Sequence, residues 1–167
     1  MFIMTYQMEE RKREKNANRL KAFFAVLLTA AGAVIAGLST QTDTPWYQSL
    51  ALSPLQPPPP VFGIVWTVLY ILLAVSFAFA VTQRRPSASV IAGYVVNIVL
   101  NALWSPVFFI MQEPLPALFV MAALIVNLII LMRNVRFSCR ISMYLLIPYL
   151  VWLCIATVLN VSVIVLN

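Results

Sequence analysis

The sequence contains no histidine, only two cysteines and only five acidic residues in a chain of 167 residues. Without histidine, the chain lacks the commonest general base and the commonest protein ligand of zinc and haem iron. Two cysteines supply neither a disulfide framework nor a metal-binding pair, and so few carboxylates argue against a proton relay inside a membrane. Glycine-rich nucleotide motifs, zinc-protease motifs and a Ser/His/Asp set are also absent. We therefore predict no metal site and no conventional catalytic constellation, which leaves open whether the protein is an enzyme.

Charged side chains are also scarce, at 10% of the sequence, whereas hydrophobic residues make up 62%. That balance is typical of an integral membrane protein and not of a soluble domain. Five apolar segments are each long enough to cross about 30 Å of hydrocarbon. They lie near Lys21–Leu38, Val61–Thr82, Val90–Met111, Leu115–Met132 and Ile141–Leu166. The sequence therefore predicts an all-α integral membrane protein, with a basic arm at residues 1–21 followed by a five-transmembrane-helix bundle at residues 22–167.

Positive charge is confined to one side of this five-span arrangement. The basic arm and the connections between spans 2 and 3 and between spans 4 and 5 together hold all 11 lysines and arginines. Because basic segments stay in the cytoplasm, we expect a cytoplasmic N-terminus and an external C-terminus in a multi-pass bacterial cell-membrane protein. The arm is then a signal that sets the orientation of the protein in the membrane. The lipid bilayer is its expected partner, and no nucleic-acid partner is expected. The connection between spans 1 and 2, residues 39–60, lies on the outer side.

The stretch Trp46–Tyr70 joins a proline-rich connection to an aromatic helix. Four consecutive prolines, Pro57–Pro60, cannot lie inside a helix and are predicted to form a stiff polyproline II rod that ends where span 2 begins. Phe62, Trp66 and Tyr70 follow at intervals of four residues and therefore share one helix face. A stiff aromatic loop beside an aromatic helix face predicts a lid over an apolar pocket, formed by the connection between spans 1 and 2.

Spans 3 and 5 each place amides and aromatic rings on a common helix face. The residues that share these faces are Asn97, Asn101, Trp104 and Phe108 on span 3, and Tyr149, Trp152, Ala156 and Asn160 on span 5. Amides in hydrocarbon either bond across helices or face a cavity, and both alternatives stay open. Tryptophans can instead form an interfacial belt, which suits Trp46 in the outer connection. Pro106 and Pro148 lie inside these spans and are expected either to kink them or to free a backbone carbonyl locally.

Small residues line span 1, where Ala33 and Gly37, and likewise Gly32 and Ala36, are four residues apart. Faces of this kind allow helices to pack closely. The packing partner is either another helix of the bundle or a second protomer, and the sequence leaves both open.

Four motifs, in order, resemble those of a known family. They are WYQSL at 46–50, WTVLY at 66–70, LNALWSPVFF at 100–109 and PYLVWLCIATVLN at 148–160, and the proline run leads into Val61 and Phe62. Their order and spacing resemble the tryptophan-rich sensory protein family. This is the bacterial branch of the mitochondrial translocator protein, or peripheral benzodiazepine receptor. The resemblance covers about residues 23–162 and leaves out the basic arm.

The resemblance implies a homodimer packed through helix 3 and a pocket under the connection between helices 1 and 2. It implies that the ligands are porphyrins, such as protoporphyrin IX, or isoquinoline and benzodiazepine-type compounds. The residues expected to bind the ligand combine positions implied by the resemblance with the aromatic face of span 2. They are Tyr47, Pro57, Phe62, Trp66, Tyr70, Asn101, Trp104, Trp152, Ala156 and Asn160. The sterol motif of vertebrate members needs an aromatic and then a basic residue. Residues 161–167 contain neither, so sterol binding by that motif is not expected.

Three functions compete on this basis. The first is a receptor or sensor that binds a porphyrin and is linked to tetrapyrrole regulation. The second is a light- and oxygen-dependent degradation of porphyrin, with Trp66 and Trp152 as candidate redox partners, and the third is a tetrapyrrole transporter. Without histidine, a metal-free porphyrin is favoured over haem as ligand or substrate, and no further cofactor is required. Transport ranks last because the spans show no obvious inverted repeat and no charged path.

Labelling of single cysteines tests the predicted orientation, in a chain whose two native cysteines are replaced by serine. A membrane-impermeant thiol reagent should reach Arg85→Cys only from the cytoplasm and Gln48→Cys only from outside, because positively charged segments are retained inside. Labelling of both positions from the same side would contradict the five-span arrangement.

Overall fold

The computed structural model describes the backbone of residues 2–167 and the side chains of residues 7–167. Over this range the chain is helical and contains no β-strand. The helices are α1 Phe2–Ser39, α2 Pro45–Ser49, α3 Pro59–Val81, α4 Ala88–Ser105, α5 Pro114–Ser138, α6 Arg140–Leu145 and α7 Ile147–Leu166, and a π-helical turn, Pro106–Ile110, follows α4. Five helical stretches are long and apolar enough to cross a membrane. The predicted bundle of five transmembrane helices is therefore confirmed.

The first helix joins the basic arm to the first span without a break. Residues 2–31 contain neither proline nor glycine, and the many Glu, Arg, Lys and Ala residues favour helix. Lys12 Nζ also lies 3.2 Å from Glu9 Oε1, one turn away. From residue 2 onward, the predicted arm therefore belongs to the same continuous helix as the first span.

The spans form a ring in which α1 packs against α3 and α4, and α5 packs against α4 and α7. The short helix α6 packs against α3 and closes the ring. At the arginine-rich end the interior is filled by Leu73, Phe77, Tyr94 and Leu131, all of them buried. The rings of Phe77 and Tyr94 stack with their centroids 4.5 Å apart. This packed core forms the floor of the bundle.

Two buried serines tie α3 to α6 within that floor. Ser76 Oγ donates to the Ser142 carbonyl at 2.8 Å, and Ser142 Oγ donates to the Ser76 carbonyl at 2.9 Å. Because hydrocarbon offers no hydrogen-bond partners, this exchange satisfies polar groups that would otherwise be costly to bury.

Close helix contact depends on one glycine of α1. A Cβ atom at Gly32 would lie 2.6 Å from Cγ2 of Ile98, on α4. A larger residue would therefore require Ile98 or the two helices to shift. At this position, the small residues of span 1 pack inside the bundle.

The proline run differs from its prediction. Pro59 and Pro60 lie in the first turn of α3. Backbone N–H groups in a first turn have no partner within the helix, so proline loses no hydrogen bond there. Pro58 is extended, with φ −54° and ψ 145°, so any rod ends there. The predicted four-residue rod is therefore wrong in its second half. The connection between α1 and α3, hereafter the lid, is residues 40–58 and contains α2.

The regular α-helix is interrupted at both prolines that were expected to disturb it. The π-helical turn begins at Pro106, and Met111 N donates to the Pro106 carbonyl at 2.9 Å, five residues back. The fifth span divides into α6 and α7 at Leu146, just before Pro148. After the π-helical turn, Gln112 adopts a left-handed conformation with φ 58°. This conformation ends the span and lets the chain turn into α5.

Candidate functional site

A cavity of about 760 Å³ lies under the lid, at the end of the bundle opposite the arginine-rich connections. Its walls come from α1, α3, α7 and the end of α4 with its π-helical turn. None of the described residues that line it is charged. Small-molecule sites are typically apolar clefts of about 300–1,000 Å³ with a few polar groups. The cavity has the size and chemistry of such a site.

Aromatic rings from two helices line the cavity. Phe62, Trp66 and Tyr70 of α3 all contribute, as their four-residue spacing predicts, and the ring centroids of Trp66 and Tyr70 lie 5.9 Å apart. On α4 and its π-helical turn, Trp104 stacks on Phe108 with a centroid distance of 5.1 Å and an interplanar angle of 22°. These rings offer flat apolar surfaces to a ligand.

Asn101 connects three spans in the wall of the cavity. The Tyr70 hydroxyl donates to Asn101 Oδ1 at 2.6 Å, and Asn101 Nδ2 donates to the hydroxyl of Tyr149. The three residues belong to α3, α4 and α7, and Asn101 is only 4% exposed. Of the two roles left open for the amides, Asn101 fulfils both, because it bonds across helices and also lines the cavity.

The other amides divide between the same two roles. Asn160 lines the cavity, accepts from Trp104 Nε1 at 3.3 Å and donates to the Pro114 carbonyl at 2.9 Å. Asn97 lies away from the cavity, and its Nδ2 donates to Asn127 Oδ1 of α5 at 3.1 Å. Asn97 therefore joins helices and has no place in the site.

The wall from α1 consists of small residues. Ala33 and Gly37 line the cavity, and Gly63 of α3 lies on its wall as well. A Cβ atom at Gly37 or Gly63 would meet no other atom within 4 Å. Space between α1 and α3 therefore exists because no large side chain fills it. The stripe of small residues was visible in the sequence, but only the structure shows that its Ala33–Gly37 face borders a cavity.

The lid is held down by aromatic contacts. The ring of Trp46 meets that of Phe108 edge-on at 5.8 Å, and the ring of Tyr47 lies 5.5 Å from that of Phe109. Trp46 is therefore packed against the bundle while it stays partly exposed, and the interfacial-belt interpretation for it stays a prediction. Phe109 also lines the cavity, and sequence reasoning missed it.

Tyr47 brings a polar group to the cavity. Its hydroxyl accepts from Gln56 Nε2 at 3.2 Å, and both residues line the cavity from the lid. Burial raises the pKa of the Tyr47 phenol above its usual value of 10.0, and the hydrogen bond from Gln56 partly opposes that shift. The phenol therefore stays protonated at neutral pH and keeps a proton that it can donate.

The last residue of the sequence fastens the lid to α7. Asn167 Oδ1 accepts from Ala51 N at 2.9 Å, and Asn167 Nδ2 donates to the Ala51 carbonyl at 3.2 Å. The same Nδ2 donates to the Val163 carbonyl at 2.9 Å. We call this pair of bonds between Asn167 and Ala51 the latch.

All but one of the predicted ligand-binding residues line the cavity. Those that do are Tyr47, Pro57, Phe62, Trp66, Tyr70, Asn101, Trp104, Ala156 and Asn160. The exception is Trp152, whose ring lies behind the wall, with centroid distances of 5.5 Å to Phe62 and 6.5 Å to Trp66. Its Nε1 is buried and has no hydrogen-bond partner among the described residues. Helical periodicity placed Trp152 on the correct face, but side chains of α3 separate it from the cavity.

Comparison with known proteins finds relatives along most of the chain. The model of the TspO/MBR family matches residues 24–166. The chain is 32% identical to the tryptophan-rich sensory protein of Cereibacter sphaeroides, over 87% of this chain and 92% of that protein. It is 33% identical to the tryptophan-rich protein TspO of Archaeoglobus fulgidus, over 82% and 88%. It is 31% identical to the TspO protein of Chlorobaculum tepidum, over 78% and 88%.

Replacing Asn167 by alanine should loosen the lid without unfolding the bundle. The change removes two hydrogen bonds to Ala51, each worth about 1 kcal/mol at most in this exposed position, so amide exchange at Ala51 should accelerate by about tenfold. Asn167→Gln is the matched control, because its amide can still accept from Ala51 N and donate to the Ala51 carbonyl, and it should give a smaller increase. Hydrogen exchange followed by mass spectrometry of the lid measures both. Equal exchange in all three proteins would show that the latch does not hold the lid.

Proposed function

The chain belongs to the TspO/MBR family of membrane proteins, and on that premise we propose that it is a membrane receptor for porphyrins, with protoporphyrin IX as the first candidate. The ligand would bind in the cavity under the lid and link the protein to tetrapyrrole regulation. The observation that carries the proposal is an uncharged cavity of about 760 Å³ lined by aromatic rings. In the orientation that positive charge favours, the lid and C-terminus face outward from a bacterial cell membrane.

The lining suits a flat apolar molecule. Trp66, Tyr70, Trp104 and Phe108 line the cavity, and aromatic rings pack well against a planar macrocycle. The small residues of α1 leave room beside them. Isoquinoline and benzodiazepine-type compounds are flat and aromatic too, so the same surfaces would accept them.

The polar groups of the lid suit the carboxylates of a porphyrin. A propionate group needs hydrogen-bond donors when it leaves water. The Tyr47 hydroxyl retains a proton to donate, because Gln56 is the donor in the bond between them. We therefore place the propionates under the lid and the apolar macrocycle deeper, above Asn101.

The filled floor supports binding over transport. Beneath Asn101 the interior contains Leu69, Leu73, Phe77 and Tyr94, all at most 4% exposed. A pocket closed by such a packed core suits a bound ligand better than a molecule in passage, so transport stays the last of the three functions.

We also propose a homodimer that packs through α4. In the single chain, the face of α4 away from the bundle exposes Ala88, Ala92, Val96 and Val99. Small and β-branched side chains of this kind let two helices approach closely in a membrane. The resemblance to the family points to the same helix.

Binding in darkness tests the receptor proposal. Trp66→Phe should weaken protoporphyrin IX binding by about 1–2 kcal/mol, roughly 5- to 30-fold in Kd, because the indole lines the cavity. Trp152→Phe is the matched control and should weaken binding less, since Trp152 lies behind the wall. Titration of purified protein, followed by porphyrin absorbance, measures both. Unchanged affinity in Trp66→Phe would contradict binding in this cavity.

Light-driven porphyrin degradation is the second candidate function, and the position of Trp66 favours it. The Trp66 ring lies 6.5 Å from that of Trp152 and 6.4 Å from that of Tyr149, centroid to centroid. An excited porphyrin could take one electron from Trp66, which leaves an indole radical cation and a porphyrin radical anion. Dioxygen would then add to the porphyrin radical anion, and one electron would pass from that adduct back to the indole radical cation. The net change is addition of dioxygen to the macrocycle as a peroxide, with Trp66 restored. Trp152 and Tyr149 are oxidisable rings, and both lie close enough to donate an electron to the Trp66 radical cation.

Bleaching at saturating porphyrin separates the two functions. Phenylalanine is much harder to oxidise than tryptophan, so on the radical route Trp66→Phe should lose light-dependent bleaching even at full occupancy. The dark rate is the control, and Trp152→Phe tests whether the second ring takes part. A wild-type rate in both variants would remove the radical role and leave a binding protein.

A further inference from the structure

A second concave site lies at the arginine-rich end of the bundle, at the junction of α5 and α6. The helix α5 ends at Ser138, Cys139 is extended with φ −151° and ψ 97°, and α6 begins at Arg140. The break leaves a depression of about 350 Å³. The residues that line this depression are Arg136, Phe137, Arg140, Met143 and Tyr144. It is separate from the aromatic cavity, which lies under the lid at the opposite end.

The two arginines of the depression have no carboxylate partner. Among the described side chains, the single ion pair within 4.0 Å joins Lys12 to Glu9. All five acidic residues of the chain lie elsewhere, at positions 9, 10, 14, 43 and 113. A guanidinium group presents a fork of N–H donors that matches a phosphate or a carboxylate. Arg136 and Arg140 are therefore free to bind an anion from outside the chain.

The arginine head groups lie beside exposed aromatic rings. The guanidinium carbon of Arg136 is 4.8 Å from the centroid of the Phe137 ring, within the range of a cation–π contact. Attraction to the C-terminal end of α5 also favours Arg136 at this place, but it does not account for Arg140, which begins the next helix. The two arginines come from two helices and line one depression, so a single ligand there can reach both.

The surroundings of the depression match the boundary between lipid head groups and acyl chains. Phe137 is 77% exposed, and Ile141 and Tyr144 are each 59% exposed. These residues lie where span 4 ends and span 5 begins, so the rings belong to the membrane–water interface, where aromatic residues concentrate. A soluble anion would need the arginines alone, whereas a lipid would also use the exposed apolar side chains.

We propose that this depression binds an anionic phospholipid of the leaflet on the arginine-rich face, which the charge distribution makes the cytoplasmic one. Arg136 and Arg140 hold the phosphate of the head group, and Phe137 and Tyr144 contact the upper part of an acyl chain. The surplus of positive charge favours phosphatidylglycerol over zwitterionic phosphatidylcholine. The site is independent of porphyrin binding under the lid.

The test compares two double variants of the full chain that lose the same charge on the same face. Arg136→Gln with Arg140→Gln removes the proposed ligands, and Arg84→Gln with Arg85→Gln is the matched control in the connection between α3 and α4. Each protein is titrated in detergent with phosphatidylglycerol and with phosphatidylcholine of the same acyl chains, and bound lipid is counted by native mass spectrometry. We expect phosphatidylglycerol affinity to fall by about 30-fold in the first variant, and only slightly in the control.

A second measurement uses the unmodified protein, so it does not depend on how well a variant folds. Phosphatidylglycerol should raise its melting temperature more than phosphatidylcholine does at the same concentration. Equal losses in the two double variants would overturn the proposal in favour of diffuse electrostatic attraction. Equal effects of the two lipids would overturn it as well, and so would competition by glycerol phosphate at the concentrations at which phosphatidylglycerol binds.

Discussion

The structure depends on one requirement of the bilayer interior, which is that every buried polar group must find its partner inside the protein. Asn101 meets this requirement by accepting from Tyr70 and donating to Tyr149, which fixes α3, α4 and α7 relative to one another. Nearer the lid, Asn160 joins Trp104 of α4 to the first residue of α5. Because both asparagines also line the cavity, the bonds that hold the helices together also set the shape of the site.

The cavity exists because large side chains line one side of it and small side chains line the other. Aromatic rings on α3 and α4 line the cavity together with short side chains of α1, and none of the α1 residues that line it is larger than valine. The π-helical turn after α4 contributes as well, since Phe108 and Phe109 both line the cavity and both contact the lid.

Much of this arrangement could be predicted from the sequence, because membrane spans and helix faces are local properties. Apolar length gave the five spans, and the four-residue spacing of Phe62, Trp66 and Tyr70 gave one wall of the cavity. Trp152 shows the limit, since periodicity identifies its helix face but not the rings of α3 that stand between it and the cavity. The proline run shows a second limit of prediction from sequence, because a proline is equally acceptable in an extended segment and in the first turn of a helix. Which neighbour covers a helix face is decided by tertiary packing, and one sequence carries no direct signal for it.

The central claim is that the cavity under the lid receives a flat porphyrin between its aromatic walls. An experimental structure of the full chain with protoporphyrin IX, determined in a lipid environment, tests it most directly. The account predicts macrocycle density in contact with Trp66 and Trp104, propionates within hydrogen-bonding distance of Tyr47, and Trp152 separated from the ligand by Phe62 and Trp66. Macrocycle density on the outer faces of the helices, with the cavity empty, would contradict it.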